Sequence, residues 1–296
     1  LFGPGDLVVL NDSRVLHARL LGHRVATGGR WEGLFLRAFA DGTWELMAKT
    51  GGKPTPGETI LVEPGPLRLT LLGKSPEGRW RVQPDLAGSP PEILARHGQV
   101  PLPPYIRQGR AEPGDADRYQ TVYARHDGSV AAPTAGLHFT PELFERLRGR
   151  GIDVGFVTLH VGLGTFQPIQ VTDVRDHVMH AEYGELGTET IAKIDACRRR
   201  GGRVIAVGTT SVRVLESAAA SSEKLAAWSG ETTLFITPPY QFRVVEGLVT
   251  NFHLPRTTLL LLVAAFAGVE WLRRAYDVAV RERYRFYSYG DAMLIL

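Results

Sequence analysis

The chain has 296 residues, of which 44% are hydrophobic and 22% are charged, an ordinary globular composition that allows one or two domains with a sizeable core. Its formal net charge of +3 is compatible with an RNA partner, although many other proteins have a similar balance. The single cysteine, Cys197, excludes an internal disulfide framework and a cysteine-based zinc cluster, and no apolar run approaches the ~20 residues of a membrane helix. We expect a cytoplasmic protein that does not cross a membrane.

Residues from about 16 to 85 are β in character. Residues 5–10 are typical of a turn that leads into a buried strand, and six further short strand candidates follow, each bounded by turn signals such as Asp41-Gly42. Six strands at hairpin spacing with almost no helical period predict a closed antiparallel barrel, because closure removes exposed sheet edges. The six candidates are Arg19–Gly22, Arg30–Arg37, Thr43–Lys49, Glu58–Val62, Leu67–Leu72 and Arg79–Val82.

A proline-rich segment separates this region from the rest of the chain. It contains Ser89-Pro90-Pro91 and the run from Val100 to Ile106, and because proline fixes φ and removes an amide donor, we predict a stiff connector. Strands then alternate with helices, which is typical of an α/β domain with a mostly parallel sheet. The predicted strands are Ile152–Leu159 and Arg203–Gly208, and the predicted helices are Thr140–Arg148, Thr188–Arg200, Ser211–Ala220, Leu259–Ala267 and Trp271–Arg283.

We predict two domains from this change of pattern. The α/β domain is discontinuous and comprises residues 1–15 and 106–296. The six-stranded antiparallel β-barrel, with its proline-rich connector, is inserted between these two parts as residues 16–105.

Candidate functional residues concentrate in loops of the second half of the chain. Four segments are rich in glycine, histidine, threonine and proline, and they differ from one another, so they can converge on one composite site. Histidine is the side chain best suited to move a proton near neutral pH. The segments are residues 132–140, 159–168, 235–242 and 250–258.

Two histidines in these loops are candidates for proton transfer. His160 directly follows a predicted strand, and Gly162 and Gly164 after it let the backbone approach a ligand closely. The alternative for this segment is a structural loop. His138 precedes a predicted helix, and its alternative roles are helix capping and core packing.

The segment Val207–Arg213 lies at a predicted junction of strand, turn and helix. The N–H groups and the positive dipole end of a helix N-terminus suit a carboxylate or a phosphate. The segment lacks the glycine spacing and the lysine of a P-loop, so an anion site and an ordinary N-cap run are both consistent with it. Hydroxyl and guanidinium groups are supplied by Thr209, Thr210, Ser211 and Arg213.

The segment from His177 to Glu182 has two interpretations. On a strand, His180 and Glu182 would point to one face and form a pair in which the carboxylate orients the imidazole. On a helix, His177 and His180 would be spaced as metal ligands. No second convincing ligand pair is present in the sequence, so we expect no metal.

Other residues are candidates for substrate contacts. Asp12 and Arg14 follow a strand exit, where an Asp–Arg pair is more often structural. Aromatic loop residues can stack on adenine or on an unstacked base, although core packing is their commoner role. The aromatic candidates are Tyr240, Phe242 and Phe252, and His253 lies beside the last of them. Scattered arginines form either a phosphate-tracking surface or solvated helix ends.

These segments resemble the S-adenosylmethionine:tRNA ribosyltransferase-isomerase family of queuosine biosynthesis. The resemblance is carried by the four loop segments together with residues 5–15 and 284–293, in the same order over nearly the whole chain. It implies that residues 1–15 pair beside the C-terminal half. The family has a further N-terminal stretch, and we expect the natural protein to extend beyond both ends of this sequence.

The resemblance implies transfer of the ribosyl part of S-adenosylmethionine to 7-aminomethyl-7-deazaguanine at the tRNA wobble position. The product would be epoxyqueuosine, with adenine and methionine released. A base must remove a proton near the sulfonium, and an acid would help adenine to depart. We expect His160 or His180 to be the base, oriented by Glu182, and His138 to be the acid. The partners would be S-adenosylmethionine and the anticodon arm of tRNA, and we expect a monomer.

Two other functions remain open from the sequence. An S-adenosylmethionine-dependent RNA methyltransferase would share the cofactor and the partner, but the sequence lacks a glycine-rich loop after an early strand with an acidic residue about twenty positions later. A non-catalytic RNA-binding protein predicts basic and aromatic residues concentrated in residues 16–85. The loop histidines lie outside that range, which favours an enzyme.

Overall fold

The computed structural model describes residues 1–162 and 169–296. The chain divides into two compact units, of which one comprises residues 15–119 and the other residues 1–14 and 120–296. The predicted domain boundaries, after residues 15 and 105, stay a prediction. None of the helices in the described part of the chain has the length and apolar character needed to span a bilayer.

The described residues form fifteen strands and seven α-helices. The strands are β1 Leu7–Asn11, β2 Ser13–Val15, β3 Arg19–Arg24, β4 Arg30–Ala38, β5 Trp44–Thr50, β6 Thr59–Glu63, β7 Arg68–Lys74, β8 Trp80–Pro84, β9 His126–Ser129, β10 Asp153–Leu159, β11 Glu182–Leu186, β12 Val204–Val207, β13 Trp228–Thr232, β14 Gly247–Asn251 and β15 Ala292–Ile295. The helices are α1 Pro90–His97, α2 Asp115–Arg118, α3 Pro141–Arg148, α4 Thr188–Arg199, α5 Thr209–Ala220, α6 Thr258–Ala267 and α7 Val269–Arg281.

The smaller unit contains a closed barrel of six antiparallel strands, which confirms the predicted barrel. The strands are neighbours in the order β3-β4-β5-β8-β7-β6, and β3 pairs with both β4 and β6, so the sheet closes on itself. Side chains alternate between the interior and solvent: Leu69 and Leu71 of β7 and Trp80 and Val82 of β8 are buried, whereas Arg81 between the last two is exposed.

The proline-rich segment after the barrel contains a helix, which the prediction of a stiff connector missed. Helix α1 begins with Pro90 and Pro91, directly after Ser89. The carboxylate of Glu92 accepts a hydrogen bond from the Ser89 N–H at 3.1 Å, which is one half of a capping box. Proline suits the first turn of a helix because an N–H there has no intrahelical partner.

The larger unit contains a seven-stranded sheet in the order β13-β11-β10-β1-β12-β14-β15. The four central strands, β10, β1, β12 and β14, run parallel; β11 and β15 pair antiparallel with this group, and β13 pairs antiparallel with β11. This arrangement confirms the predicted α/β class with a mostly parallel sheet. The first strand pairs with β10 and β12, as the family resemblance implied.

Helices cover both faces of the central strand β1. Leu7 and Val9 belong to the apolar cluster that includes Leu215 of α5, and Val8 and Leu10 belong to the cluster on the other face, which includes α3. All four β1 side chains have no exposed surface. A parallel strand that is covered on both faces needs a continuous apolar run, which explains why the sequence of β1 does not alternate.

Helix α4 protects an edge of the parallel sheet. Strand β10 pairs with β11 only near its carboxyl end, which leaves earlier backbone groups of β10 without a neighbouring strand there. The Thr190 hydroxyl donates to the Phe156 carbonyl at 2.6 Å and accepts from the Phe156 N–H at 3.1 Å, and Lys193 Nζ donates to the Val154 carbonyl at 2.9 Å. These side chains take the place of a strand and block edge-to-edge pairing.

The buried carboxylate of Glu216 joins α5 to the loop that precedes β14. Its Oε1 accepts hydrogen bonds from the N–H groups of Val244 at 3.0 Å and Val245 at 3.1 Å. Its Oε2 accepts from the N–H of Arg243 at 2.9 Å. One side chain therefore satisfies three successive backbone donors and fixes the path of the chain into the sheet.

We expect Glu216→Ala to destabilise the larger unit, because the buried amides of Val244 and Val245 would lose their acceptor. The free energy of unfolding should fall by about 2–5 kcal/mol in urea denaturation followed by circular dichroism. Glu223→Ala, at an exposed position, is the matched control and should leave the transition midpoint unchanged. Equal stability of the Glu216 variant and the wild type would contradict this account of the loop.

Candidate active site

Four parallel strands end at the same edge of the large sheet, and each of them is followed or terminated there by a polar residue or a glycine. Strand β1 ends at Asn11 and is followed by Asp12, and β10 is followed by His160. Strand β12 leads through Gly208 into α5, and β14 ends at Asn251. In open α/β sheets, ligands bind outside the carboxyl ends of the strands. This edge is therefore the candidate active site.

The side-chain amide of Asn11 fixes the ends of β1 and β10 to each other. Its Nδ2 donates to the Leu159 carbonyl at 3.1 Å, and its Oδ1 accepts from the N–H groups of Leu159 at 3.0 Å and Ser13 at 3.1 Å. Asn11 is fully buried, so these bonds are shielded from water. These hydrogen bonds bring Asp12 and His160, the residues that follow the two strands, to adjacent positions.

Asp12 is a buried carboxylate at this edge. Its Oδ1 accepts a hydrogen bond from the Thr158 hydroxyl at 2.8 Å, and its Oδ2 lies 3.7 Å from Nε2 of His126. Burial raises the pKa of Asp12, and the Thr158 hydrogen bond and the neighbouring cations oppose that shift.

The guanidinium of Arg14 contacts Ala124 and Asp127 and not Asp12. It donates to the Ala124 carbonyl at 2.5 Å and lies 3.7 Å from the carboxylate of Asp127. Nearly half of its side chain is exposed. Asp12 and Arg14 therefore belong to different contacts of the same edge.

His160 is half-buried at the end of β10, and its ring stacks on Tyr183 with the ring centres 6.1 Å apart. Its Nδ1 is buried and has no hydrogen-bond partner among the described residues. Gly128 makes room for this nitrogen, since a Cβ there would lie 2.6 Å from it. Burial, and then the nearby charge of His126, lower the pKa of His160, so the ring is neutral at pH 7. A neutral imidazole can accept a proton.

His138 lies beside the end of β14, as the last residue of the 3₁₀ turn Thr134–His138. Its Nε2 accepts a hydrogen bond from Nδ2 of Asn251 at 3.3 Å. Burial lowers the pKa of His138, and the neighbouring Asp291 opposes that shift. The ring is therefore also neutral near pH 7.

A buried ion pair between Glu182 and Arg213 contacts Gly162, three residues after the end of β10. Glu182 Oε1 accepts from the Gly162 N–H at 2.7 Å, and Oε2 accepts from the Arg213 guanidinium. The same guanidinium donates to the carbonyls of Leu234 and Thr232, each at 3.2 Å. The pair holds the start of the loop after β10 in place, while Gly164, a predicted cofactor contact, lies outside the described residues.

His180 lies close to this ion pair but not on a strand. Strand β11 begins at Glu182, and the preceding 3₁₀ turn ends at Asp176, so His177 and His180 are on neither of the two elements considered from the sequence. Both histidines line a cavity of about 30 Å³ together with Glu182 and apolar side chains. Orientation of His180 by Glu182 stays a prediction. In the part of the chain that is described, no group of three or more His, Cys, Asp or Glu side chains is arranged to hold a metal ion.

Helix α5 begins at Thr209, two residues earlier than predicted. Ser211 Oγ donates to the Val207 carbonyl at 2.8 Å, so its hydroxyl is used within the junction. Thr210 Oγ1 is buried without a hydrogen-bond partner among residues 1–162 and 169–296. This hydroxyl and the first-turn N–H groups of α5 are donors that an anion can satisfy.

The aromatic residues proposed to stack on a base are packed in this structure. The rings of Tyr240 and Phe242 meet edge to face at 4.8 Å and lie against the apolar core. Phe252 is buried, with the rings of Phe286 and Tyr276 at 5.0 Å and 5.4 Å. These contacts give all three residues a packing role, and their contact with substrate stays a prediction.

His253, also predicted to contact substrate, is held by internal hydrogen bonds. Its Nε2 lies 2.7 Å from the Thr250 hydroxyl, and its backbone N–H donates to the Tyr276 hydroxyl at 2.7 Å. Burial lowers the pKa of His253 to about 4, so the ring stays neutral at pH 7.

The sequence as a whole matches one known family. Residues 1–295 match the family model described as queuosine biosynthesis protein. The chain belongs to this family. Similar relatives are the S-adenosylmethionine:tRNA ribosyltransferase-isomerases of Moorella thermoacetica and Symbiobacterium thermophilum, each 50% identical over 99% of this chain and 85% of the relative. The crystal structure of the S-adenosylmethionine tRNA ribosyltransferase of Thermotoga maritima is 35% identical, with a TM-score of 0.51, over 100% of this chain and 84% of that one.

The family resemblance inferred from the loop segments is confirmed, but the site contains residues that sequence reasoning missed. Asn11 and Asn251 lie inside the quoted segments, yet their bridging hydrogen bonds connect positions more than a hundred residues apart. His126 and Gly128 lie in a segment that combines histidine with glycine, as residues 132–140 and 159–168 do, and that composition could have identified them.

The lowered pKa of His253 makes stability depend on pH. An unfolded histidine binds a proton near pH 6.5, whereas folded His253 binds one only near pH 4. The unfolded state therefore takes up more protons between these values, and the free energy of unfolding should fall as pH decreases from 6.5 to 4. His253→Gln should show a shallower dependence in that window, measured by urea denaturation at several pH values. An unchanged slope in the His253 variant would refute the assignment.

Proposed function

We propose that this chain is an S-adenosylmethionine:tRNA ribosyltransferase-isomerase. It transfers the ribosyl part of S-adenosylmethionine to 7-aminomethyl-7-deazaguanine at the tRNA wobble position and releases adenine and methionine. The observation that carries this proposal is the 50% identity over 99% of the chain to two relatives of that name. The neutral histidines at the carboxyl edge of the sheet support it, because the reaction needs proton transfer.

His160 is the proposed base. Its lowered pKa gives a neutral imidazole that can take a proton from the ribose 5′ carbon, where the sulfonium stabilises the developing negative charge. Asp12, on the adjacent strand end, stabilises the imidazolium that forms. His138, beside the end of β14, is the proposed hydrogen-bond donor to the departing adenine.

The N-terminus of α5 is the proposed contact for the carboxylate of S-adenosylmethionine. Thr209, Thr210 and Ser211 present the first-turn amides, and the unsatisfied Thr210 hydroxyl adds a donor. Arg213 already has a carboxylate partner in Glu182. We therefore assign Arg213 the task of fixing Glu182, which in turn holds the N–H of Gly162.

For the tRNA, the exposed cations beside Asp12 are the proposed phosphate contacts. Arg14 lies two residues after Asp12, and the backbone N–H of Arg125 donates to the Asp12 carbonyl at 2.7 Å. Arg125 also lies over the ring of Phe156 at 4.6 Å. Phosphate contacts of this kind position an RNA without reading its sequence.

The activity is tested by incubating the protein with S-adenosylmethionine and tRNA that carries the deazaguanine precursor, and by following free adenine by chromatography. We expect adenine only when both substrates are present. S-adenosylhomocysteine in its place would identify an RNA methyltransferase, and bound tRNA without either product would identify a binding protein. Either result would refute the proposed function.

We expect His160→Gln to lower kcat by about 10²–10⁴-fold, the range for loss of a general base, while S-adenosylmethionine still binds. In the wild type, kcat/KM should fall as pH decreases through the lowered pKa of His160, because the protonated ring cannot accept a proton. His180→Gln is the matched comparison, since His180 is the other candidate base. If only the His180 variant loses turnover, the base is His180 and this assignment is wrong.

A further inference from the structure

The side-chain amide of Asn251 is held by three groups at the end of β14. Its Oδ1 accepts a hydrogen bond from the Thr134 hydroxyl at 3.1 Å, and its Nδ2 donates to the Tyr287 carbonyl at 3.2 Å. The same Nδ2 faces Nε2 of His138 at 3.3 Å. Asn251 is 2% exposed, so water does not compete for these bonds.

These contacts decide the orientation of the amide. The Tyr287 carbonyl can only accept, so the atom that faces it must be the Nδ2 of Asn251 and not Oδ1. The nitrogen of an amide can only donate, so Nε2 of His138 must accept and carries no proton. A neutral His138 therefore has its proton on Nδ1.

The charges around His138 agree with a neutral ring. The two charged groups that influence it are Asp291, which raises its pKa, and Arg285, which lowers it, and these two form an ion pair at 2.8 Å. Burial is the largest influence and lowers the pKa. The N–H of Asn251 acts in the same direction, because a proton on Nε2 would face a donor.

We infer that Asn251 is a positioning residue that keeps His138 as a hydrogen-bond donor at Nδ1, which suits a ring that must donate to the departing adenine. The role in catalysis rests on the proposed function. The tautomer itself does not, because it follows from the hydrogen bonds of the folded protein.

The tautomer is tested by long-range ¹⁵N–¹H NMR on the full chain, with the His138 signals identified by their loss in His138→Gln. In the wild type we expect a protonated Nδ1 and an unprotonated Nε2. In Asn251→Asp the new carboxylate accepts from Nε2, so the proton should move to Nε2 and the pKa of His138 should rise. A wild-type ring protonated on Nε2, or no change of tautomer in the variant, would overturn the inference. The wild-type spectrum decides even if the variant does not fold.

The catalytic consequence is tested by adenine release. We expect Asn251→Asp to lower kcat by roughly 10–100-fold with little change in KM, because the neutral ring then presents an acceptor at Nδ1. The ratio of the variant's kcat to that of the wild type should rise as pH falls, since protonated His138 has a proton on both nitrogens. A loss that is independent of pH would indicate a merely structural role and would overturn the catalytic part.

Thr134→Val is the matched control for this experiment. It removes the hydrogen bond to Oδ1 of Asn251 but keeps the bonds of Nδ2, so the tautomer of His138 should be unchanged and kcat should fall less than in Asn251→Asp. If the wild type releases no adenine, the proposed function fails, and the NMR result still decides the tautomer.

Discussion

The parallel pairing of β1 with β10 and β12 is the constraint on which the site depends. Strand β1 lies near the start of the chain, and its two neighbours lie more than 140 residues later. The pairing brings Asp12, His160 and Gly208 to one edge, and the buried amide of Asn11 fixes the relative height of the first two. Without β1, the sheet would have no centre, and the residues that follow the strands would not meet.

The electrostatics of this edge follow from burial rather than from an excess of one charge. The pKa values of His138, His160 and His253 are all lowered, so three imidazoles remain neutral near pH 7. The buried carboxylates of Glu182 and Glu216 are matched by donors of the protein. S-adenosylmethionine carries a positive sulfonium, and neutral histidines can approach it without the repulsion that imidazolium groups would impose.

The barrel could be predicted from the sequence because its signals are local. Each strand is short and ends in a turn residue pair, so spacing alone predicts six strands. Helix α1 was missed because proline is compatible both with a connector and with a first helical turn, and only the Ser89–Glu92 contact decides between them. Strands β13 and β14 were also missed. Their places in the sheet are set by pairing with β11 and with β12 and β15, which no local pattern indicates.

For the site, the sequence indicated the residues but not their partners. His138, His160 and Asn251 lie in the segments that suggested a composite site, because their composition is unusual for loops. The partner of Glu182 could not be predicted, since Arg213 lies 31 residues further along the chain and on a helix. The same holds for the stacking candidates: whether Phe252 faces a ligand or other rings depends on where α7 packs, and no local pattern determines that.

The positions of His160 and His138 suit a division of roles between them. His160 follows β10, and Asn251, which contacts His138, ends β14. Strands β1 and β12 lie between β10 and β14, so the two strand ends are three inter-strand spacings apart, roughly 14 Å. The two side chains therefore lie at separate positions along the carboxyl edge of the sheet. In the proposed function, the acceptor at one position acts on the ribose 5′ carbon and the donor at the other acts on the adenine of the same molecule.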